Sequence, residues 1–473
     1  MKALFQRSNQ PSVQLSKLDY WVYALSLALC FLLFKQSDLT HTNSSSFAYL
    51  YGHFWDFWEY NQSRMAHNNY LPIFYWIFAL WNLPLKLLGL IPEVTSVSWM
   101  LPTPIQTIWS KLLLVIFFFA SVRALKDIAD QIHKSAPKGK IGQPVLRPDL
   151  LYASSPIAIF SVFIFSGYDI FGLFFILLGV RSYFAKDFKW FAFWFSVAIS
   201  FKYFAAICYL PLVLIIEKRV WAVMAFGIAG LFISAIQFAL YWHSDVFIGQ
   251  IFHLVGTKTS DSGHYTRFLI ANSVYGAMCA YLYFSKDIQG NLLAWYERSI
   301  MVCLLAYALF FSWVGWHPQW IILITPFICL AYVFIRSQRL LLWVEILGYL
   351  GFVIFTMNNW AGNVDNTMLY GGALASWWPE TQTMASDVMG RRWLGFSRTA
   401  FYAMLYMPIL IWVVERFKYK NTSLVKTNEV DDLDHFSKSS GDSNSVFTYL
   451  VAIRFLVGSY FLVIISAICF VRG

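Results

Sequence analysis

The sequence predicts an all-α polytopic membrane protein with about 13 transmembrane helices, and three observations predict it. Only 13% of the residues are charged while 59% are hydrophobic and 20% aromatic, whereas a soluble domain carries about a quarter charged residues. The apolar residues come in long blocks, and a single span needs about twenty of them. Lys and Arg gather in short clusters between those blocks, where they act as topology signals. That clustering also excludes a nucleic-acid footprint as the meaning of the net charge of +10. The six cysteines, among them Cys30, Cys208, Cys303 and Cys469, lie in apolar runs without CxxC spacing. They read as small core residues rather than a disulfide frame or a metal site.

The N-terminal stretch is polar and basic (Lys2, Arg7, Lys17), and no small-residue cleavage site follows the first apolar run. An uncleaved first span over about Tyr20 to Phe34, entered from the cytoplasm, is therefore expected. An outer segment, 37–106, follows. Within it Leu71 to Ile91 is apolar but interrupted by Pro72, Asn82, Pro84 and Lys86. It is either a full span or an interfacial or re-entrant segment. Parity favours the second, because the next span, Thr107 to Leu125, leads into Lys126, Lys134, Lys138, Lys140 and Arg147, a cytoplasmic loop. Leu150 to Phe165 then goes out, Gly167-Tyr168-Asp169 turns, and Ile170 to Phe184 returns to Lys186 and Lys189. Trp190 to Phe201 is short for a span and carries Lys202 outward; Tyr203 to Ile216 returns to Lys218 and Arg219. The alternation continues through an outer loop over 242–267, a turn at Trp316-His317-Pro318-Gln319 and a third outer loop over 358–398. Residues 1–420 thus read as one transmembrane domain, 421–445 as a cytoplasmic flexible linker rich in Ser and Asp, and 446–473 as a C-terminal transmembrane helix. No internal repeat or matched pair of broken helices is present, which weighs against a secondary transporter.

Polar chemistry gathers on the expected outer side. The stretch FWDFWEYNQSRMAHNNYLP, Phe54 to Pro72, places Asp56 and Glu59 at i,i+3, on one face of a helix whose rings suit a membrane surface. The alternative is an amphipathic loop with solvated charges. Tyr70 closes the stretch. Asp169, between Gly167 and Gly172, is either a ligand contact at a closely approaching backbone or a helix N-cap. Lys202, at the end of a short helix, suits a phosphate or snorkels to the headgroups. His317 and Gln319 lie in a polar break that is a site or a capped turn. The run KTSDSGHYTR, Lys258 to Arg267, brings His264 and Arg267 in a loop able to close over a ligand or merely solvated. HExxH, GxSxG and Walker signatures are absent from the sequence.

Taken in order, these features resemble the GT-C membrane glycosyltransferases, especially the polyprenyl-phosphate-mannose-dependent kind. The resemblance is carried by Asp56, Tyr70-Leu71-Pro72, Ser155-Pro156, Gly167-Tyr168-Asp169, Phe201-Lys202-Tyr203, Leu210-Pro211 and His317-Pro318-Gln319-Trp320. It spans Asp56 to Pro326, with Asp-x-x-Glu where the family has Asp-x-Asp. It implies a GT-C-like fold with extracytoplasmic loop helices. It also implies transfer of mannose or another hexose from a polyprenyl-phosphate sugar donor to a glycan or glycolipid acceptor, with inversion. A carboxylate base, Asp56 with Glu59 beside it, would take the acceptor proton. Lys202 and Arg267 would hold the donor phosphate, and Tyr70, Asp169, His264, His317 and Gln319 would line the substrate. A divalent cation is compatible with this chemistry and nothing in the sequence requires one. The expected setting is a lipid bilayer, a bacterial plasma membrane rather than endoplasmic reticulum, with the active site extracytoplasmic. Two rivals stand beside it. One is an envelope polysaccharide polymerase or ligase using Arg391, Arg392 and Arg398; the other is a lipid or solute transporter with charges in mid-membrane.

Overall fold

The first apolar run forms α1 (Lys17–Leu33) and stops where Lys35 and Gln36 interrupt it. The polar helix α2 (Ser37–Ser45) follows, its start capped by the Gln36 side-chain oxygen on the Asp38 amide. The chain through Ser37–Leu50 leaves α1 at 71°. The structure is a computed structural model that describes residues 17–64, 66, 68–91, 103–135, 147–259, 262–285, 291–313, 316–359, 368, 371–375, 393–422 and 440–472. All regular elements among them are helical.

Short helices α3 (Phe47–Leu50) and α4 (Phe57–Gln62) lead to α5 (Pro72–Leu87), which opens on Pro72 and contains Pro84. α5 packs on α2, α3 and α6 (Pro104–Ser135). Asn82, one of the residues that interrupt its apolar run, is buried and donates to Asn43 Oδ1 at 2.7 Å. Next come α7 (Pro148–Ala153), α8 (Pro156–Ile159) and a π turn at Phe160–Ile164. α9 (Ile170–Phe184) and α10 (Phe188–Phe201) pair closely, and α11 (Ala206–Ile216) follows a 3₁₀ turn at Tyr203–Ala205. The remainder comprises α12 (Val220–Tyr241), α13 (Asp245–Thr259), α14 (Ser262–Phe284), α15 (Leu292–Trp313), a 3₁₀ turn at Pro318–Leu323, α16 (Thr325–Ala331), α17 (Gln338–Asn359), α18 (Leu394–Thr422) and α19 (Ser440–Arg472).

Among the described residues, five helices are long and apolar enough to cross a membrane: Val220–Tyr241, Leu292–Ser312, Gln338–Asn358, Leu394–Lys418 and Tyr449–Cys469. The bent pair Leu18–Leu33 and Ser37–Leu50 makes a sixth if it is one broken span. Ile170–Phe184, Phe188–Phe201, Tyr203–Ile216, Leu269–Phe284 and Pro318–Ala331 are apolar but shorter than the about twenty residues of a comfortable span. α17 and α18 lie so close that a Cβ on Gly351 would stand 2.5 Å from the Ser397 carbonyl oxygen, the small-residue approach that membrane helices use.

The segment 242–267, expected as a loop, is largely helical. Ser244 Oγ accepts from the Phe247 amide at 3.0 Å and starts α13, as N-cap serines do. Phe247 and Ile251 then recur at helical spacing against the rest of the protein. The linker 421–445 and the outer loop 358–398 lie for the most part outside the described residues, as do Arg391 and Arg392.

One interior cation ties the beginning of the chain to the π turn. Lys111 on α6 is buried, and its ammonium donates to the carbonyls of Phe31 (2.6 Å), Phe34 (2.5 Å) and Phe163 (2.8 Å). The first two are orphan carbonyls at the C-terminal end of α1, and the third belongs to the π turn. A cation is the natural partner for carbonyls at a helix C-terminus. The Gln36 amide, donating to the Phe165 carbonyl at 3.2 Å, closes the same junction. Each buried carbonyl left without a donor costs about 1–3 kcal/mol. Lys111→Met is therefore expected to destabilise the purified protein by at least ~3 kcal/mol, read as a lowered unfolding midpoint in detergent. An unchanged midpoint would show that these carbonyls find other donors.

Candidate functional site

Lys202 follows the last residue of α10 and is only 2% exposed. A lysine at a membrane helix end has a four-carbon stem long enough to reach water. This one turns inward instead, and its Nζ lies 2.7 Å from Asp169 Oδ1. The ammonium sits 4.6 Å from the ring centres of both Tyr70 and Trp320, with Phe204 at 5.8 Å. Cation–π attraction strengthens as water is removed, so the rings help hold a charge that burial disfavours.

Asp169 stands at the N-terminus of α9 but makes no capping bond there. Its carboxylate is spent on Lys202, and its Oδ2 has no hydrogen-bond partner among the described residues. The turn that delivers it is unusual. The π turn ends at Ile164, Ser166 takes φ +65°, and the Gly167 amide donates to Ser161 O at 2.6 Å. π bulges and left-handed non-glycine residues cluster at functional sites, where the surroundings hold the strain. Gly167 is required by proximity: a Cβ there would lie 2.7 Å from Gln319 Cβ.

Gln319, buried in the 3₁₀ turn after His317, donates from Nε2 to Asp38 Oδ2 at 3.4 Å. Asp38 belongs to the first turn of α2 and is half-buried. Lys202 and Asp169 both act on it electrostatically. Thr42, one turn further along α2, donates to the Tyr168 hydroxyl at 3.1 Å, and the Tyr168 ring meets Tyr70 edge-on at 5.4 Å. His317 is half-buried with its ring 5.1 Å from Trp320. Two carboxyl groups thus face one ammonium inside a wall of aromatic rings. The cluster is assembled from α2, the segment before α5, the turn before α9, the end of α10 and the turn before α16.

Of the residues singled out from sequence, Tyr70, Asp169, Lys202 and Gln319 come together here, with His317 alongside. Asp56 and Glu59 do not join them. Asp56 is exposed, its side chain 58% accessible, and pairs with His53 Nδ1 at 2.9 Å. His53 in turn stacks on Tyr60, and the Arg64 guanidinium covers that ring. Glu59 accepts from Ser244 Oγ at 2.5 Å, fastening α4 to the start of α13. His264 and Arg267 lie in the first turns of α14. Asp38 is the residue that reading the sequence missed. Its signal was position: a carboxylate within one turn of the end of an apolar span is costly unless it has a partner or a task.

Among the described residues, no group of three or more His, Cys, Asp or Glu is arranged to hold a metal ion. No protein-family model matches the chain, and no curated protein matches it. Fold and composition define the class: among the described residues, an all-helical protein with several helices long and apolar enough to cross a membrane.

Removing one partner of a buried ion pair strands the other charge and costs about 3–5 kcal/mol, whereas removing both is far milder. Asp169→Leu and Lys202→Met are each expected to lower the unfolding midpoint strongly. The double variant should recover most of that loss. Additive losses in the double variant would mean that the two charges do not support each other.

Proposed function

We propose that the chain is a GT-C-like membrane glycosyltransferase that moves a hexose from a polyprenyl-phosphate donor to an extracytoplasmic glycan or glycolipid acceptor, and that Asp38 is its base. The observation that carries this reading is the convergence of Asp38, Asp169 and Lys202 within one aromatic-walled cluster. In this reading the chain crosses the membrane about thirteen times, in a bacterial plasma membrane, and the cluster lies at the outer ends of its helices.

The chemistry follows from the parts. The acceptor hydroxyl gives its proton to the Asp38 carboxylate as its oxygen attacks the anomeric carbon. The bond from that carbon to the phosphate oxygen breaks, the electron pair leaves with the polyprenyl phosphate, and the configuration inverts. Lys202 faces the charge that develops on the leaving phosphate, where a fixed cation in a dry site is most effective. Asp169 orients Lys202, and Gln319 orients Asp38. The Tyr70 and Trp320 rings offer flat apolar faces to the sugar.

A second reading, a transporter, draws on one observation: the buried pair of Glu345 and Arg454 among the long helices. Arg454 also donates to Leu151 O and Ser154 Oγ, which suits a brace between α19, α17 and α7 better than a carrier site.

The deciding experiment incubates purified protein with radiolabelled polyprenyl-phosphate sugars and candidate acceptors. General-base loss costs about 10²–10⁴ in rate, so Asp38→Asn is expected to lose that much while still binding donor. Asp56→Asn is expected to turn over near normally. Normal turnover by Asp38→Asn would remove Asp38 from the mechanism.

A further inference from the structure

Away from this cluster, a cleft of about 710 Å³ runs between α10 and α12, a size within the roughly 300–1,000 Å³ of small-molecule sites. One end of it carries Lys189, Glu217 and Arg219, and the rest is apolar apart from Ser196. Small side chains on both helices, Ala192, Ala225 and Ala229 among them, line the groove and leave it room. It closes where Ser196 Oγ accepts the Ile233 amide at 3.0 Å. From Arg219 to Ile233 the groove follows α12 for roughly 21 Å at the helical rise. The tails of one bilayer leaflet are shorter, roughly 15 Å.

What the groove opens onto is set by α12. Only 11% of its span is buried, and Met224, Ile228 and Leu231 are exposed along it. The outward face of this helix is therefore a bilayer face. The charged end is built for an anion. Lys189 is exposed and has no ion-pair partner among the described residues. Arg219 is held by Glu217 through bonds of 3.0 and 2.7 Å and lies over the Trp221 ring at 4.8 Å. Those bonds hold the Glu217 carboxyl down to about 2, so the pair stays charged at neutral pH and the guanidinium is fixed in place. Two cations against one carboxylate leave the mouth positive.

We propose that this cleft is a binding site for an anionic glycerophospholipid, with the phosphate between Lys189 and Arg219 and one acyl tail lying between α10 and α12. The site rests on the membrane-spanning class of the protein and is independent of any glycosyl transfer.

Native mass spectrometry of the delipidated full chain, titrated with phosphatidylglycerol or with phosphatidylcholine of the same tails, tests it. A cation near an anionic headgroup favours binding by roughly fivefold. Wild type is expected to prefer phosphatidylglycerol by on the order of tenfold. The double variant Lys189→Gln/Arg219→Gln should lose that preference while keeping its unfolding midpoint. Ala225→Trp, which fills the groove, should weaken both lipids. The proposal is overturned if the double variant keeps its preference, or if Ala225→Trp binds both lipids as wild type does. It is equally overturned if glycerol phosphate without tails binds as well as the lipid, or if a second copy of the chain occupies the face instead.

Discussion

The arrangement depends first on the Lys111 ammonium and its three carbonyls. A lysine in the interior of a helical membrane protein is expensive unless its donors are satisfied, and here each is. The positions it fixes matter more than its own energy. Phe31 and Phe34 belong to the end of α1, so Lys111 determines where α2 begins and hence where Asp38 stands. Phe163 belongs to the π turn, so the same ammonium determines where Ser166, Gly167 and Asp169 follow. Two carboxylates separated by more than a hundred residues of chain are brought to one place by a single cation that touches neither.

The cluster of Asp38, Asp169 and Lys202 then has to solve a charge problem. Its members are crowded where water is scarce, and a charge taken out of water needs a partner. Lys202 relieves Asp169 directly, Gln319 lends Asp38 an amide donor, and Tyr70 and Trp320 present ring faces to the ammonium. The strain of the left-handed Ser166 and the tight contact of Gly167 with Gln319 are the local cost of aiming Asp169 away from its own helix. A simple N-cap would have needed neither.

Much of this was legible in the sequence and part of it was not, for physical reasons. Gly167-Tyr168-Asp169, Lys202 and the His317 to Trp320 turn are short polar breaks between apolar runs, and such breaks must fall at helix ends, where they can meet. Tyr70, just before a proline-initiated helix, was found the same way. The stretch from Phe54 to Tyr60 drew attention because acids alternate with rings, yet Phe57 and Trp58 turn inward while Asp56 faces out. Local pattern does not report which face is buried. Asp38 was hidden in the polar sequence after α1, because nothing in that stretch shows that Gln319, nearly three hundred residues later, will meet it. Residues 242–267 read as a loop because their polar residues masked the helical spacing of Phe247 and Ile251. The number of spans was blurred by apolar helices shorter than a bilayer, such as α9, α10 and α11, which composition alone does not resolve.

The central claim is that the reacting phosphate belongs beside Asp38, Asp169 and Lys202 rather than at the Asp56 surface. A polyprenyl phosphate bearing a photoactivatable group next to its phosphate, cross-linked to the intact protein and mapped by peptide sequencing, tests this most directly. Labelled peptides should contain the segments around Asp38, Gly167 to Asp169, Lys202 and Gln319, and unlabelled polyprenyl phosphate should compete. Labelling confined to the peptide that carries His53, Asp56 and Glu59 would contradict the account.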